Sequence, residues 1–422
     1  MEYVILLIFV LMLAIGLPVV FTLGITAVLL LLLYLQADIA LAAIAQRMVT
    51  AMDSFSLMAI PFFILAGNLM NLGDIAQRII RLANCFVGFL PGGALMVNVV
   101  ANMIFGSISG SAVASASAIG AMMREELEQK NYLPALSAAV NAAASTTGLI
   151  IPPSNVLIVY SLASGSVSIS QLFLAGYLPG LLVGCCLLAF LLVVGQLRQY
   201  PTIPFPGFGM AFRYLLHALP ALLMIVLVMG GILLGIFTAT EASVIAVVYA
   251  AGLSYYYARP SWAAYARVIT HSAVVTGQVT FLIAASMALS WSINIANLPE
   301  TIHELIRTFT QDKLTFLLII NILLLLIGIF MDMTPAILVF TPIFLPIVLQ
   351  LGINPIHFGI VMITNLCIGL CTPPVGTVLF VSAGTFRTDA VSMVKQLLPI
   401  YGVLLVALLL ITLFPQISLA LL

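Results

Sequence analysis

Between residues 106 and 120 the chain runs Gly106, Ser107, Ile108, Ser109, Gly110, Ser111, then alanine alternating with valine, serine and isoleucine up to Gly120. In a chain that is 64% hydrophobic, such a cluster of hydroxyls and glycines could do chemistry. Hydroxyl and backbone oxygens suit a small hard cation, and exposed backbone N–H groups at a helix start suit an anion. The run does not fit a membrane crossing. Residues 94–105 make roughly 18 Å of helix at about 1.5 Å per residue, against a hydrocarbon layer about 30 Å thick. The next charge after the run is Arg124, too close for a second full crossing. The economical path enters half-way, turns at 106–111 and leaves on the same side. Backbone opened at that depth must line a cavity or bind something. The plainer reading of the same residues is that small side chains let helices pack closely.

The pattern recurs. Gly328 also follows an apolar segment, at an offset of 222 from Gly106, and leads into Asp332, Thr334 and Pro335. The run from Gly148 to Pro153 matches the run from Gly369 to Pro374 at an offset of 221, both reading Gly-Leu-X-X-Pro-Pro. Pro134 and Pro355 are also 221 apart, Pro179 and Pro399 are 220 apart, Arg47 and Arg267 are 220 apart, and Gly16 and Gly235 are 219 apart. These pairings predict an internal duplication.

Composition sets the class. With 422 residues, 6% charged and 64% hydrophobic, the chain is expected to be an all-α polytopic membrane protein. Thirteen basic residues balance thirteen acidic ones, so nothing calls for nucleic acid. The five cysteines lie in or beside apolar segments without a histidine or carboxylate nearby, which argues against a metal or redox centre. No basic residue precedes Arg47, so a cleaved signal peptide is not expected. The histidines at 217, 271, 303 and 357 are scattered and no nucleophile–base pair stands out, so an enzyme is not expected.

The positioning elements follow in order. Residues 3–35 are too long for one crossing and are read as two, broken at Gly16, Leu17 and Pro18. Residues 38–52 read as an interfacial helix, 55–72 as a crossing, and about 92–124 as a re-entrant hairpin. Residues 132–164 cross with a break at 148–155, and 172–197 cross again. A Pro- and Gly-rich cytoplasmic linker, 201–213, divides the first repeat, 1–200, from the second, 214–422. The second repeat is predicted to have crossings at 217–237 and 239–257, an interfacial helix at 260–271, and a crossing at 272–298. A second hairpin at about 314–352, a broken segment at 355–386 and a last crossing at 397–422 complete it. Each repeat thus holds five crossings and one hairpin. An odd number of crossings inverts one repeat against the other, as in many secondary transporters. With both termini outside, ten basic residues face the cytoplasm, and only Arg47, Arg307 and Lys313 face outward.

Two cation sites are expected at the breaks. One joins Ser107, Ser109 and Ser111 to the backbone of the run from Gly148 to Pro153. The other joins Gly328 to Gly369, Thr372 and Val375, the last through its carbonyl. An anionic substrate would lie between the hairpin tips, near Ser111, Asn155, Thr334 and Gly376. Asp332 is the lone charge between Lys313 and Arg387. It is either a cation ligand or proton carrier in the substrate site, or an N-terminal cap for the returning helix. Glu241 reads as a cap or a subunit contact. Asn68, Asn98, Asn102, Asn141 and Asn365 read as interhelical hydrogen-bonding residues.

The motifs at 106–112, at Phe330, Met331 and Asp332 with Thr334 and Pro335, at Asn354 to Gly359, and at Gly369 to Gly376 carry a resemblance. They resemble the large membrane subunit of TRAP (tripartite ATP-independent periplasmic) transporters, as does the stretch from Asp53 to Gly67. The resemblance covers essentially the whole chain. It implies an ion-transporter-superfamily elevator fold and a sodium-driven importer of a small organic acid, with two or more Na+ ions and no organic cofactor. The family's sodium sites map onto Ser107, Ser109, Gly148, Ile151 and Pro153, and onto Gly328, Gly369, Thr372 and Val375. It also implies a small four-helix membrane subunit and a periplasmic substrate-binding protein, in a bacterial inner membrane. The alternative is a stand-alone sodium–carboxylate symporter of related fold, which would need no binding protein.

Overall fold

A computed structural model describes residues 2–73, 75–200, 202, 204–298 and 312–422. Arg307 and His303 lie outside the described residues. Among the described residues the chain is helical throughout, with no strand. In the first half the helices are α1 (Glu2–Ala14), α2 (Val19–Leu31), α3 (Ala37–Met52), α4 (Ala59–Asn71), α5 (Ile75–Val87), α6 (Gly93–Ser109), α7 (Ala112–Gln129), α8 (Pro134–Thr147), α9 (Asn155–Ser164) and α10 (Ile169–Leu197). In the second they are α11 (Phe208–Leu233), α12 (Ala239–Ala258), α13 (Trp262–Ile295), α14 (Lys313–Phe330), α15 (Met333–Gln350), α16 (Pro355–Gly369), α17 (Thr377–Thr385), α18 (Ala390–Leu413) and α19 (Gln416–Leu419). Six of these, α10, α11, α13, α14, α15 and α18, are long and apolar enough to cross a membrane, and α4 with α5 would make a seventh.

Several expected boundaries shift. α1 and α2 have 13 residues each, about 20 Å of helix, so neither spans the layer by length alone. The helix expected at the interface over 260–271 and the crossing after it are one continuous 34-residue helix, α13. Its first-half counterpart is interrupted. α3 ends at Met52, a short 3₁₀ turn spans Phe55–Met58, and α4 restarts with Pro61 in its first turn, where a missing N–H leaves no bond unmade. The linker is shorter than expected, because α11 begins at Phe208 directly after Gly207, whose φ of +89° favours glycine. The helix expected as the first arm of the first hairpin, α6, has 17 residues and runs on past Gly106 to Ser109. Its turn falls at Gly110 and Ser111; Gly110 has φ +61°.

Two groups of helices pack around each other. α4 lies along α12, α13 lies along α2 and α3, and α11 joins α12 and α5. The other group places α6 against α8 and α14 against α16, crosses α15 over α9 and α17 over α7, and flanks them with α10 and α18.

Two close contacts in that second group join glycine to glycine. A Cβ on Gly106 would lie 2.9 Å from the Cα of Gly148, and one on Gly148 would lie 2.6 Å from the Cα of Gly106. The second copy of the motif does the same, with 3.0 Å from Gly328 to Gly369 and 2.7 Å in reverse. Gly106 is therefore not part of the hairpin turn, contrary to the expectation from sequence. Gly106 and Gly328 let each descending arm meet the end of a broken helix backbone to backbone. Gly369→Ala is expected to destabilise the fold by roughly 1–3 kcal/mol, since backbone atoms must shift. Gly384→Ala, with open space at its Cβ, is expected to leave stability unchanged or raised. Thermal unfolding of both purified variants in detergent checks this, and equal melting temperatures would refute the steric account.

Candidate functional site

Four helices begin at one place. α7 starts after Ser111, α15 after Asp332, α9 at Asn155 and α17 at Thr377. All four starts line a pair of adjoining cavities. The smaller, about 130 Å³, is bounded by Ser111, Ala112, Asp332, Met333, Thr334, Val156 and Thr377. The larger, about 630 Å³, shares Gly110, Ser111, Asp332 and Thr334 and adds Asn155, Asn68, Asn71, Met122 and His271. It extends along α7 to Met122, two residues before Arg124. Each helix start carries unpaired N–H groups and a partial positive charge, so the four together make an electropositive centre for an anion.

Each break has a local cause. α8 and α16 both open with proline at the first helical position and both run into Pro-Pro, at Pro152 and Pro153 and at Pro373 and Pro374; the Pro–Pro bond is cis in each. Proline cannot donate to the preceding turn, so the helix stops. The freed carbonyls find partners where a neighbour reaches them. Tyr401 of α18 donates to the Cys371 carbonyl at 2.6 Å. On the first break, α10 closes in through Gly176 and Gly180, whose Cβ atoms would meet Ile150 and Ile151 at 2.5 and 2.4 Å.

Ser111, Asn155, Asp332 and Thr334 thus come together as expected. Gly376 does not line either cavity. It is buried, and a Cβ there would lie 2.8 Å from the carbonyls of Leu370 and Thr372, so glycine serves the tight loop before α17. Thr377 takes the lining position instead, and sequence reasoning missed it. Its Oγ is buried without a hydrogen-bond partner. The signal was present, since Thr377 stands at the repeat offset, 222, from Asn155. Ser154, just before α9, likewise has a buried and unpartnered Oγ. Asp332 occupies the N-cap position of α15 but makes no capping hydrogen bond, and its exposure is to the cavity.

The expected cation-site residues divide into two clusters. Ser107 and Ser109 are buried at the end of α6, beside Gly148. Ser107 Oγ donates to the Ile104 carbonyl at 2.8 Å, which leaves its lone pairs available. Ile151 and Pro153 lie in the loop that follows Gly148. Gly328 and Gly369 adjoin at the second break, and Thr372 Oγ donates to the Ile368 carbonyl at 2.9 Å. Val375 is 45% exposed. At both places two helix C-termini converge, bringing carbonyl oxygens and partial negative charge together. Among the described residues no cluster of histidine, cysteine and carboxylate could hold a transition metal.

Of the five asparagines expected to bond between helices, Asn68, Asn102, Asn141 and Asn365 do so, whereas Asn98 is bonded only within α6 and its Nδ2 is buried without a partner. Asn102 Nδ2 donates to Asn98 at 2.7 Å and to Asn141 at 3.2 Å, and Ser115 donates to Asn102 at 2.7 Å. Asn141 reaches the Ala116 carbonyl and Ser382 of α17. Asn365 donates to Asn321, which donates to Thr412. Asn68 donates to Ser272, tying α4 to α13. Glu241 forms a reciprocal capping box with Thr238, so its place at the start of α12 is a structural one.

A family model, the DctM component of the tripartite ATP-independent periplasmic transporter, matches residues 6–417. The chain belongs to that family. The Vibrio cholerae protein named C4-dicarboxylate TRAP transporter large permease protein DctM is 35% identical, over 96% of this chain and 94% of its own length. The V. cholerae sialic acid TRAP transporter large permease protein SiaM is 33% identical over 96% of this chain and 95% of its own. YgiK of Salmonella typhimurium, described as an uncharacterized protein, is 47% identical over 98% and 95%. Among solved structures, the YdaH transporter of Alcanivorax borkumensis is similar in fold, with a TM-score of 0.64 at 15% identity over 90% of this chain and 89% of that one. The expected family membership therefore holds, in a DctM-family membrane protein whose relatives carry TRAP-transporter names.

In this DctM-family chain the unpartnered Thr377 hydroxyl and the bonded Asn141 amide should behave oppositely. Thr377→Val is expected to leave thermal stability nearly unchanged, because the hydroxyl makes no well-formed hydrogen bond and only its approach to Asp332 is lost. Asn141→Ala is expected to cost about 1–2 kcal/mol by stranding its partners. Unfolding curves of the two variants in detergent test the contrast; a Thr377→Val as damaging as Asn141→Ala would show the hydroxyl to be in structural use.

Proposed function

We propose that the chain is the transport subunit of a sodium-driven importer of a small organic acid, taken up as its carboxylate. The convergence of four helix N-termini on one cavity carries this reading. A carboxylate there is met by backbone N–H groups and by the hydroxyls or amides of Ser111, Asn155, Thr334 and Thr377. Asp332 shares the cavity and would repel such a substrate. A cation held between them reconciles the two charges, which favours coupling to sodium over passive entry. The two clusters around Gly106 with Gly148 and Gly328 with Gly369 offer oxygen donors only, the donor set of a hard monovalent ion. The relatives named for C4-dicarboxylate and sialic acid support an organic acid as the substrate class.

On this reading the two halves are inverted repeats, α6 with α7 and α14 with α15 are the re-entrant hairpins, and both termini face outward. The matched glycine contacts and matched Pro-Pro breaks support the repeat. α14 and α15 have 18 residues each and could cross by length alone. Their reading as a hairpin rests on their shared tip meeting α9 and α17. The cavity reaches Met122 and His271, which this orientation puts on the side of most basic residues, and that supports a state open to the cytoplasm. Transport then proceeds by sliding the hairpin group along the group of α2, α4, α12 and α13, as an elevator. A small membrane subunit and a periplasmic binding protein complete the system. The isethionate TRAP transporter permease protein DctMQ of Oleidesulfovibrio alaskensis, 37% identical over 97% of this chain, is matched over only 64% of its own length, which is consistent with a second membrane component fused to it.

Uptake into proteoliposomes containing this chain and the small subunit tests the proposal. Accumulation is expected only with a sodium gradient and a binding protein outside. Sodium-driven uptake without a binding protein would instead establish the stand-alone symporter. Asp332→Asn is expected to reduce uptake at least about tenfold, the equivalent of one lost charge interaction of about 1.4 kcal/mol, while the protein stays monodisperse. Near-normal uptake by that variant would mean that the carboxylate's charge is not used.

A further inference from the structure

Away from the transport cavity, α5 and the start of α11 enclose a cationic cavity of about 470 Å³. Its lining is Gln77, Arg78, Arg81, Met210, Arg213, Tyr214 and His217. Among the described residues, three arginines line it without a carboxylate and none of the three forms an ion pair. Arg78 is the most constrained. Its guanidinium stacks 3.7 Å over the ring of Tyr257, and its Nε is buried without a hydrogen-bond partner. Arg81 and Arg213 are exposed and free to close on a ligand.

Three guanidinium groups facing one space are matched by an anion with several acceptor oxygens, and phosphate fits their forked donors. The place in the fold selects the kind of phosphate. α11 is one of the helices long and apolar enough to cross the membrane, and Arg213 and His217 sit in its first turns. Phe212, Leu216, Leu219 and Leu223 are exposed along its other side. α5 is amphipathic, with Ile75, Ile79 and Leu82 buried and Gln77 and Arg81 exposed, as in a helix lying at a membrane surface. With α11 crossing the membrane as its length and composition allow, the cavity at its start would sit at headgroup level, on the cytoplasmic side of the proposed orientation, beside surface that would meet acyl chains. Basic pockets between membrane helices on that side suit anionic phospholipid headgroups.

We propose that this cavity binds the phosphate of an anionic phospholipid, with Arg78 fixed beneath it and Arg81 and Arg213 closing over it. The lipid would staple α5, which packs directly against the hairpin arm α6, to the membrane-crossing α11. The test uses the purified full-length chain in phosphatidylcholine nanodiscs, titrated with cardiolipin or phosphatidylglycerol and read by native mass spectrometry and thermal unfolding. The expected result is one retained anionic lipid per chain and a raised melting temperature. The double substitution Arg81→Gln with Arg213→Gln should weaken retention by roughly 10–30-fold, two surface guanidinium contacts' worth. Both side chains are exposed, so the fold should survive. Arg81→Lys with Arg213→Lys keeps the charge and should keep most of the binding. Equal retention by wild type and the Gln variant would overturn the proposal. So would inorganic phosphate at matched concentration giving the same thermal shift, which would assign the cavity to a soluble anion. Exclusion of the lipid when the small membrane subunit is bound would likewise overturn it, marking a protein interface instead.

Discussion

Two backbone-to-backbone contacts hold the site open. Where Gly106 meets Gly148 and Gly328 meets Gly369, helices approach so closely that no Cβ fits between them. Each contact fixes the end of a long helix against the end of a broken one. That convergence brings helix C-termini together on one side of each break and leaves the N-termini of α7, α9, α15 and α17 to surround the cavity. Larger residues would separate the arms, and the four helix starts would no longer share a space. Partial charges at helix ends fall off within about one turn, so even a small added separation at the contact would weaken the electrostatic argument for an anion site. The geometry of the glycines thus decides the chemistry of the cavity.

Polar bonding behind the cavity turns this placement into rigidity. Asn141 reaches α7 through Ala116, α17 through Ser382 and α6 through Asn102. Asn365 and Asn321 tie α16 to α14, and Thr412 adds α18. Individual bonds of this kind contribute little in a membrane, but these cross different helix pairs and resist different motions. The bond between Asn68 and Ser272 lies inside the other group. Between the groups the polar ties are sparser among the described residues; Ser286 of α13 donates to the Leu338 carbonyl of α15, while the neighbours along that contact are mostly apolar. On the proposed elevator reading, these few polar ties are the ones that sliding would have to break, while the apolar contacts could be exchanged.

Much of this was legible in the sequence because glycine and proline speak through backbone geometry. The repeated Gly-Leu-X-X-Pro-Pro marked both breaks, and a nearly constant offset paired them. Sequence shows that a glycine is needed without showing why, so the roles of Gly106 and Gly110 are not separable from it. The turn needs Gly110, with its left-handed φ, and the contact needs Gly106. The expected division of α13 at His271 fails because interfacial and crossing segments share one helical period. Nothing between Trp262 and Ile295 stops a helix, whereas Asp53, Ser54 and Pro61 do so in the first half. The motif draws attention to Gly376, but the helix start, and with it the lining position, falls one place later at Thr377.

Asp332 shows how the electrostatics of such a site must balance. Its position before α15 would let it cap that helix, yet it makes no standard N-cap bond; its carboxylate lies near the Met333 N–H and the Thr377 hydroxyl and faces the cavity. Capping is a modest gain of about 1 kcal/mol, and a carboxylate at membrane depth costs roughly 2.5–3.5 kcal/mol on insertion scales. A cap alone would not recover that penalty, and Asn or Ser would cap as well without the charge. The penalty is offset instead by the positive ends of four helices and by any cation the cavity admits. On the proposed reading, a carboxylate in that field would attract a cation, and the cation would in turn admit an anionic substrate, so each ligand would improve the site for the other. Coupling between ion and substrate would then need no long-range pathway, because both would act on one electrostatic field set by four helix ends.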